Sequence, residues 1–168
     1  GWGGFAEYAV KNYGVAVTGL TISKEQLEYS QKRSFEAGLG EKAHFVMRDY
    51  RDERGTYSAI ASIEMFEAVG EKYWPVYFDK IKQCLKPGKQ ATLQIITIQD
   101  ARWEVYRKSV DFIQKYIFPG GMLPSPSVLR QEIHRAGLSV KHSIEFGKSY
   151  SQTLRRWFEV FNNKWDNI

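Results

Sequence analysis

Short apolar runs recur along the first hundred residues at a spacing that predicts strands. The runs at residues 15–20, 43–47, 57–63 and 91–98 are rich in β-branched or other apolar residues, and turn or polar residues separate them. Longer stretches with a helical pattern lie between the runs. Alternation of this kind is typical of βαβ units, so we predict an α/β fold with a mostly parallel sheet and helices on both faces.

The helical stretches carry start and stop residues of their own. We predict helices at residues 5–12, 23–37 and 73–85. Ser23 and Gln26 have the spacing of a capping box at the start of the second helix.

The pattern changes after residue 98. Residues 103–116 predict a helix and residues 118–121 a turn. Ser125 and Pro126 have the properties of an N-cap and a first helical residue, which predicts a helix to residue 135. We further predict a strand at residues 138–144 and a last helix at residues 151–165.

The composition indicates one globular domain. The chain has 168 residues, of which 43% are apolar and 26% charged. Aromatic residues reach 15%, which indicates either a ring-rich core or a pocket for an apolar or cationic group. The single cysteine, Cys84, rules out an intrachain disulfide and is expected to be a buried packing residue.

The net charge of +5 favours anionic partners such as phospholipid headgroups. The basic residues are scattered, and the sequence has no nucleic-acid-binding motif, so we expect no nucleic acid partner. The sequence has no apolar run of membrane-spanning length and no secretory signal. The three histidines lack metal-binding spacing, so we expect no metal site.

A glycine-rich turn, Gly1-Trp2-Gly3-Gly4, opens the chain and precedes a helix and a strand. Glycines at the carboxyl end of a strand let a ligand approach the backbone closely, although an ordinary loop has the same composition. Because a domain rarely begins inside such a turn, we expect further sequence upstream.

Polar residues follow the first predicted strand, at the edge where open α/β sheets bind ligands. Thr21, Ser23 and Gln26 occupy the place of the acidic residue that an NAD-binding domain would have. A capping role for Ser23 and Gln26 leaves a ribose contact from Gln26 open.

Two further strands also end in polar residues. Asp49, Tyr50 and Arg51 combine a carboxylate with a flat ring, which suits adenine but also suits an ordinary polar loop. Glu64 and Glu67 are three residues apart and can share one face of a helix. A buried carboxylate here would serve as a base, whereas an exposed pair would favour the start of a helix.

Four motifs follow one another in chain order. They are Gly-Leu-Thr-Ile-Ser-Lys-Glu-Gln at 19–26, Ser-Ile-Glu-Met-Phe-Glu-Ala-Val-Gly at 62–70, Tyr-Ile-Phe-Pro-Gly-Gly-Met-Leu-Pro-Ser at 116–125, and Tyr150 with Thr153, Leu154 and Trp157. Together they resemble the cyclopropane-fatty-acyl-phospholipid synthase and mycolic acid cyclopropane synthase family. The resemblance implies a Rossmann-like class I methyltransferase fold, with residues 1–168 as one catalytic domain. It also implies that the first strand is missing and that both ends are truncated.

The resemblance implies S-adenosyl-L-methionine as the cofactor. The positions that match the family's cofactor-binding residues are Gly1, Gly3, Thr21, Ile22, Gln26, Asp49, Tyr50 and Arg51.

The resemblance also implies a site for a bicarbonate ion. Glu67, Gln94, Ile96 and Tyr150 match the residues that hold it in characterised members. Gln94 stands where many members have His, and an amide cannot titrate. Rings such as Phe66, Tyr116 and Phe118 are candidates to favour a cation.

The implied reaction is methylene transfer to the double bond of an unsaturated fatty acyl chain of a phospholipid, which forms a cyclopropane ring. The implied partner is therefore a lipid at a membrane surface, reached by a cytoplasmic, peripheral enzyme. Two alternatives remain open. A related methyltransferase would act on an amine or leave a branched methyl group, and a non-catalytic module would only bind a surface.

Overall fold

The computed structural model describes residues 1–165. The chain divides into two compact units, Gly1–Leu138 and Ser139–Ile168. All four strands belong to the first unit, whereas the described part of the second unit consists of an extended segment and one long helix.

The first half of the larger unit is a parallel strand pair with two helices. Strands β1 (Val17–Thr21) and β2 (Ala43–Met47) pair in register from Val17 beside Ala43 to Thr21 beside Met47. Helices α1 (Gly4–Tyr13) and α2 (Lys24–Glu36) flank β1 in sequence. The predicted α/β alternation is confirmed here, and α2 begins at the predicted N-cap.

The second half repeats this arrangement in a separate sheet. Strand β3 (Tyr57–Ile63) runs parallel to β4 (Leu85–Gln94), and helix α3 (Trp74–Cys84) connects them. Strand β4 begins six residues before the predicted strand 91–98 and ends four residues before its predicted end. The parallel pairing was predicted, but among the described residues it forms two strand pairs that are not hydrogen-bonded to each other.

The predicted helix 103–116 is wrong, because the chain breaks in the middle of it. Helix α4 covers Asp100–Tyr106, and a single π-type turn follows at Ile113–Ile117. The side chains of Asp111 and Gln114 cap each other's main-chain N–H groups at 2.8 and 3.0 Å, which starts a new turn. Helix α5 (Pro126–Arg135) then begins at Ser125, as predicted.

The predicted strand 138–144 is also wrong. Residues 138–146 adopt no regular structure, because no described strand pairs with them. The last helix, α6 (Gly147–Asn163), begins four residues earlier than predicted.

The core of the larger unit lies in its second half and is mostly aromatic. Phe66, Trp74, Tyr77 and Phe78 are almost fully buried, and Trp103 packs against Trp74 at 5.8 Å between ring centroids. Most of the other rings are exposed, so only part of the ring-rich composition goes into packing. Cys84 is buried at the end of α3, as expected.

Candidate active site

Glu67 is a buried carboxylate just beyond the carboxyl end of β3. It lies in a short 3-10 helix, Phe66–Ala68, which follows β3, and only 8% of its surface is exposed. The Ile96 main-chain N–H donates to Glu67 Oε1 at 2.6 Å. The sequence placed both residues in one site, and the structure brings them into contact.

The second oxygen of the same carboxylate has no protein partner. Glu67 Oε2 is inaccessible to solvent and accepts no hydrogen bond within the described chain. Buried polar atoms are normally hydrogen-bonded, and leaving one unpaired is costly. The orphaned oxygen therefore points to a ligand that donates a hydrogen, such as a hydroxyl group.

Aromatic packing fixes the 3-10 helix in place. Phe66 is completely buried and stacks on Trp74 at 5.3 Å, while Tyr77 contacts its edge at 4.9 Å. Tyr77 in turn donates from its hydroxyl to Ser62 Oγ at 2.7 Å. Burial, with the nearby Glu67 carboxylate as a smaller cause, raises the pKa of Tyr77 to about 12, so this hydroxyl keeps its proton.

Three rings were candidates to favour a cation, and the structure separates their roles. Phe66 packs inside the core, so its faces are covered by other rings. Tyr116 and Phe118 are exposed at about half or more of their surface, so they remain candidates.

The glycine turn of the third motif lies directly against Glu67. The Met122 N–H donates to the Glu67 carbonyl oxygen at 3.2 Å. A Cβ atom at Gly121 would lie 2.5 Å from that same oxygen, so only glycine fits there. The spacing of the motif gave no reason to expect this role for Gly121.

Gln94 and Glu64 form a second contact between the same two chain segments. Gln94 Nε2 donates to Glu64 Oε1 at 2.7 Å. The sequence suggested that Glu64 and Glu67 share a helical face, and this is wrong. Glu64 has a φ of 49° and lies outside the 3-10 helix with its side chain exposed, whereas Glu67 points inward.

On the other strand pair, Thr21 and Gln26 hold each other. Thr21 Oγ1 donates to Gln26 Oε1 at 2.7 Å and accepts from the Ser23 N–H at 3.1 Å. Ser23 caps α2 by accepting from the Gln26 N–H, which confirms the capping role of Ser23. The predicted capping box is not completed, because the Ser23 N–H donates to Thr21 and not to the Gln26 side chain. Because the amide oxygen of Gln26 is engaged, its NH₂ group is the part left to meet a ligand such as a ribose hydroxyl. Ile22, which lies between Thr21 and Ser23, is 75% exposed.

The loop after β2 is held by an internal ion pair. Asp49 accepts from the Arg51 main-chain N–H at 2.9 Å and from its guanidinium at 2.7 Å. The Arg51 side chain lowers the pKa of Asp49, so this carboxylate is ionised. Tyr50 is half-buried against the Tyr77 ring, at 5.7 Å. Arg51 thus orients Asp49, and Asp49 keeps further acceptor capacity for a ligand donor.

The opening turn needs glycine at one of its two predicted positions. Gly3 has a φ of 82°, and a Cβ atom there would lie 3.0 Å from the Cβ atom of Ser30. Gly1 is exposed, and a Cβ atom there would meet nothing within 4 Å. The conformation of the turn is therefore set by packing on α2, and its cofactor role stays a prediction.

Tyr150 lies on α6 in the smaller unit. Its ring packs edge-on against Phe146 at 6.5 Å. Its predicted role beside Glu67 stays a prediction.

A buried carboxylate that sequence reasoning missed supports the loop after β2. Glu53 accepts from the Gly55 N–H at 2.6 Å and from the Arg48 guanidinium at 2.7 Å, and its carbonyl oxygen accepts from Lys80 Nζ at 2.9 Å. The Gly55 N–H is the largest cause that lowers the pKa of Glu53, to about 2. The position of Gly55 two residues after a carboxylate was the available sequence signal.

Two further depressions on the described surface, of about 500 and 260 Å³, are lined mainly by residues of α3 and α1, and Glu67 lines neither of them. Residues 1–165 contain no group of three or more His, Cys, Asp or Glu side chains close enough to hold a metal ion. No helix in that range combines the length and the apolar character needed to cross a bilayer.

Comparisons with known proteins match the whole chain to one family. The family model described as mycolic acid cyclopropane synthetase matches residues 1–168. The tuberculostearic acid methyltransferase UfaA1 of Mycobacterium tuberculosis is 36% identical over 169 residues, and the match covers 100% of this chain and 39% of the relative. The cyclopropane-fatty-acyl-phospholipid synthase of Escherichia coli K12 is 36% identical over 174 residues, covering 100% of this chain and 42% of the relative. The chain thus spans about two fifths of the length of these relatives.

Solved structures show the same fold. The mycolic acid cyclopropane synthase CmaA1 complexed with SAH and CTAB is 25% identical with a TM-score of 0.86, covering 98% of this chain and 61% of that one. The cyclopropane synthase MmaA2 from Mycobacterium tuberculosis has the same TM-score and coverage at 23% identity. The predicted class I methyltransferase fold is therefore confirmed.

Proposed function

Since the chain belongs to the mycolic acid cyclopropane synthetase family, we propose that the protein is an S-adenosylmethionine-dependent methyltransferase that adds one carbon to the double bond of an unsaturated acyl lipid. The single observation that carries this proposal is Glu67, a buried carboxylate with one oxygen bound to Ile96 and the other without a partner. That is the arrangement a proton-removing site requires.

The cofactor would be held on the other strand pair. The Gln26 amide NH₂, fixed by Thr21, suits a ribose hydroxyl, and the ionised Asp49 suits a donor on the nucleoside. When bound, S-adenosylmethionine supplies an electrophilic methyl group on a sulfonium, which the alkene π-electrons can attack. These residues bind and orient it, and none of them takes part in the bond changes.

The proposed role of Glu67 concerns the proton that must leave after methyl transfer. When an alkene takes up a methyl group, a carbocation forms on the acyl chain. If one C–H bond of the new methyl group then breaks, its electron pair closes the three-membered ring and one proton leaves. Glu67 Oε2 would hold a bicarbonate ion by accepting the hydrogen of its hydroxyl group, and the bound ion would supply the base for the proton that leaves the new methyl group. We include bicarbonate in the proposal because it offers the donor that the orphaned oxygen lacks.

The product decides between the reactions that the site could perform. Full-length protein is incubated with methyl-labelled cofactor and a monounsaturated phospholipid, and the lipids are analysed by mass spectrometry and proton NMR. We expect a product heavier by one CH₂ unit with upfield cyclopropane signals. Loss of this product in bicarbonate-depleted buffer, with recovery on adding bicarbonate, tests the ion. An unmodified lipid under all conditions would contradict the proposal.

A branched methyl product is the second candidate, which forms if the carbocation loses a proton from a neighbouring chain carbon, so that the double bond shifts and the new methyl group stays intact. Gln94 favours it because an amide cannot exchange a proton where many members have a titratable His, and one relative is named as a tuberculostearic acid methyltransferase. The same NMR spectrum separates the two, because a branched methyl gives a doublet and no ring protons. A screen of amine acceptors tests the remaining acceptor class.

We also propose that the enzyme meets its lipid as a cytoplasmic, peripheral protein at a membrane surface. Phe112, Tyr116 and Phe118 are exposed just before the glycine turn that contacts Glu67. In sequence, Lys115 lies among them and Lys108 lies four residues before Phe112. Sedimentation with phospholipid vesicles is the test. Equal binding by the Phe112→Ser/Phe118→Ser variant and the unmodified protein would contradict the contact.

A further inference from the structure

Glu64 is the one residue other than glycine with a positive φ among residues 1–165, at 49°. A side chain in this left-handed region is strained, so the conformation persists only where neighbouring contacts hold it. It lies between the end of β3 and the 3-10 helix that carries Glu67, where a change of backbone direction decides where Glu67 points.

Two hydrogen bonds hold Glu64, and both join it to Gln94. The Glu64 main-chain N–H donates to the Gln94 carbonyl oxygen at 3.0 Å, and Gln94 Nε2 donates back to Glu64 Oε1 at 2.7 Å. The two bonds close a ring between the end of β3 and the end of β4. Glycine would adopt the same φ without strain but would lose the side-chain bond.

This ring lies beside the contact that defines the candidate site. Three residues after Glu64 comes Glu67, and two residues after Gln94 comes Ile96, whose N–H donates to Glu67 Oε1 at 2.6 Å. Two cross-links therefore join the same pair of chain segments. The outer link, Glu64 with Gln94, is accessible to solvent, and the inner link, Glu67 with Ile96, is partly buried, on the Glu67 side.

The outer link also fixes which end of the Gln94 amide faces outward. An ionised carboxylate only accepts hydrogen bonds, so the NH₂ group of Gln94 must face Glu64. The amide cannot turn over without placing its oxygen against that carboxylate. Gln94 is thereby held in one orientation at the strand end next to the site.

We propose that Glu64 is a positioning residue that acts through Gln94. It locks the turn after β3, so that the Glu67 carboxylate stays on the Ile96 N–H with its second oxygen free for a ligand. The catalytic part of this inference rests on the proposed function, whereas the structural part stands without it.

The test uses four single variants, one double variant and one control variant of the full-length protein. Glu64→Ala removes the carboxylate and keeps the strain, Glu64→Gly removes both, and Glu64→Gln keeps a weaker acceptor. Gln94→Ala removes the partner, alone and combined with Glu64→Ala. Glu104→Ala is the matched control, because its carboxylate is exposed and makes only a loose pair with Lys108 at 3.6 Å.

Hydrogen exchange at the Ile96 amide is the measurement that does not depend on activity. We expect exchange about tenfold faster in Glu64→Ala, because the inner link opens more often when the outer link is gone. Glu64→Gly reports the loss of the side-chain bond in a backbone free of strain, so it keeps the test decisive if Glu64→Ala folds poorly. Unchanged exchange in both variants would overturn the proposal.

Turnover supplies the second measurement. We expect kcat for the lipid to fall about tenfold in Glu64→Ala while the Kd of the cofactor stays the same, because only the Glu67 side is displaced. Glu64→Gln should recover part of the loss, and Glu64→Ala should add nothing in the Gln94→Ala background. Additive losses would overturn the action through Gln94. If the unmodified protein turns over no lipid, the proposed function fails while the exchange result still decides the positioning role.

Discussion

The two strand pairs of the larger unit hold their candidate residues by different means. Around β1 and β2 the buried residues are small, such as Ala6, Ala9 and Ser30, and hydrogen bonds between neighbours in sequence fix the polar groups. Around β3 and β4 the buried residues are large rings, and Glu67 is fixed by a main-chain N–H from a distant strand.

This difference is the one that the proposed function would need. A half that binds a polar cofactor needs donors and acceptors presented near solvent, and local caps supply them. A half that removes a proton from an acyl chain needs a carboxylate out of water, and only dense packing excludes water there. The comparison therefore predicts that packing changes harm the second half most, whereas cap changes act mainly on the first.

The largest difference should appear when one buried side chain is cut back in each half. Phe66→Ala removes a ring that contacts three other rings, whereas Val10→Ala removes two methyl groups from α1. We expect the free energy of unfolding to fall by about 4 kcal/mol for Phe66→Ala and by about 2 kcal/mol for Val10→Ala. Urea denaturation of the full-length protein measures both. Equal losses would show that the two halves do not differ in packing.

The charge of Glu67 gives the next largest effect. Glu67→Gln keeps an oxygen for the Ile96 N–H but cannot hold a negative charge, so we expect kcat to fall about 100-fold with an unchanged Kd for the cofactor. Glu71→Gln is the matched control, because Glu71 lies four residues further along and pairs with Arg107 on the surface. A loss of cofactor affinity in Glu67→Gln would mean that the two halves are not separate in function.

Local patterns predicted the first half better than the second. The Ser23 cap and the strand 43–47 depend on residues close in sequence, and the structure has both as predicted. The sequence left open whether Glu67 is buried or exposed, because its burial depends on Phe66 entering a core built from α3 and α4. The left-handed backbone conformation of Glu64 had no local signal in the sequence, since it is held by Gln94, thirty residues away.

The wrong elements have the same cause. Residues 138–144 have the composition of a strand, but a strand needs a partner, and sequence spacing does not supply one. The helix predicted at 103–116 has the right periodicity, yet Asp111 and Gln114 cap each other and restart the chain. Side chains that compete for main-chain groups decided that break.

Glu53 makes polar contacts with both halves, so it tests the comparison between them. Its carboxylate holds the loop after β2, and its carbonyl oxygen binds Lys80 of α3. Its pKa is lowered from 4.5 to about 2, so its stabilising effect is present above pH 4.5 and is lost as the pH falls toward 2. We expect the Tm of the unmodified protein to fall more steeply between pH 5 and pH 3 than that of Glu53→Gln. Parallel Tm curves would mean that Glu53 does not stabilise this loop as an ion.

The smallest expected effect comes from removing one helix cap in each half. Ser23 caps α2 and Ser125 caps α5, each by accepting an N–H three residues ahead. Replacing either by Ala should cost about 1 kcal/mol of stability, measured by urea denaturation. Only Ser23→Ala should also weaken cofactor binding in calorimetry, because the lost hydroxyl fixes the main chain of Gln26, whose side chain is the proposed ribose contact. Ser125→Ala serves as the control on the other strand pair, where the lost hydroxyl caps α5 and also bonds Asp100. If both variants weakened cofactor binding equally, the Ser23 cap would not account for binding beside β1 and β2. The proposed contrast between the two strand pairs would then be wrong.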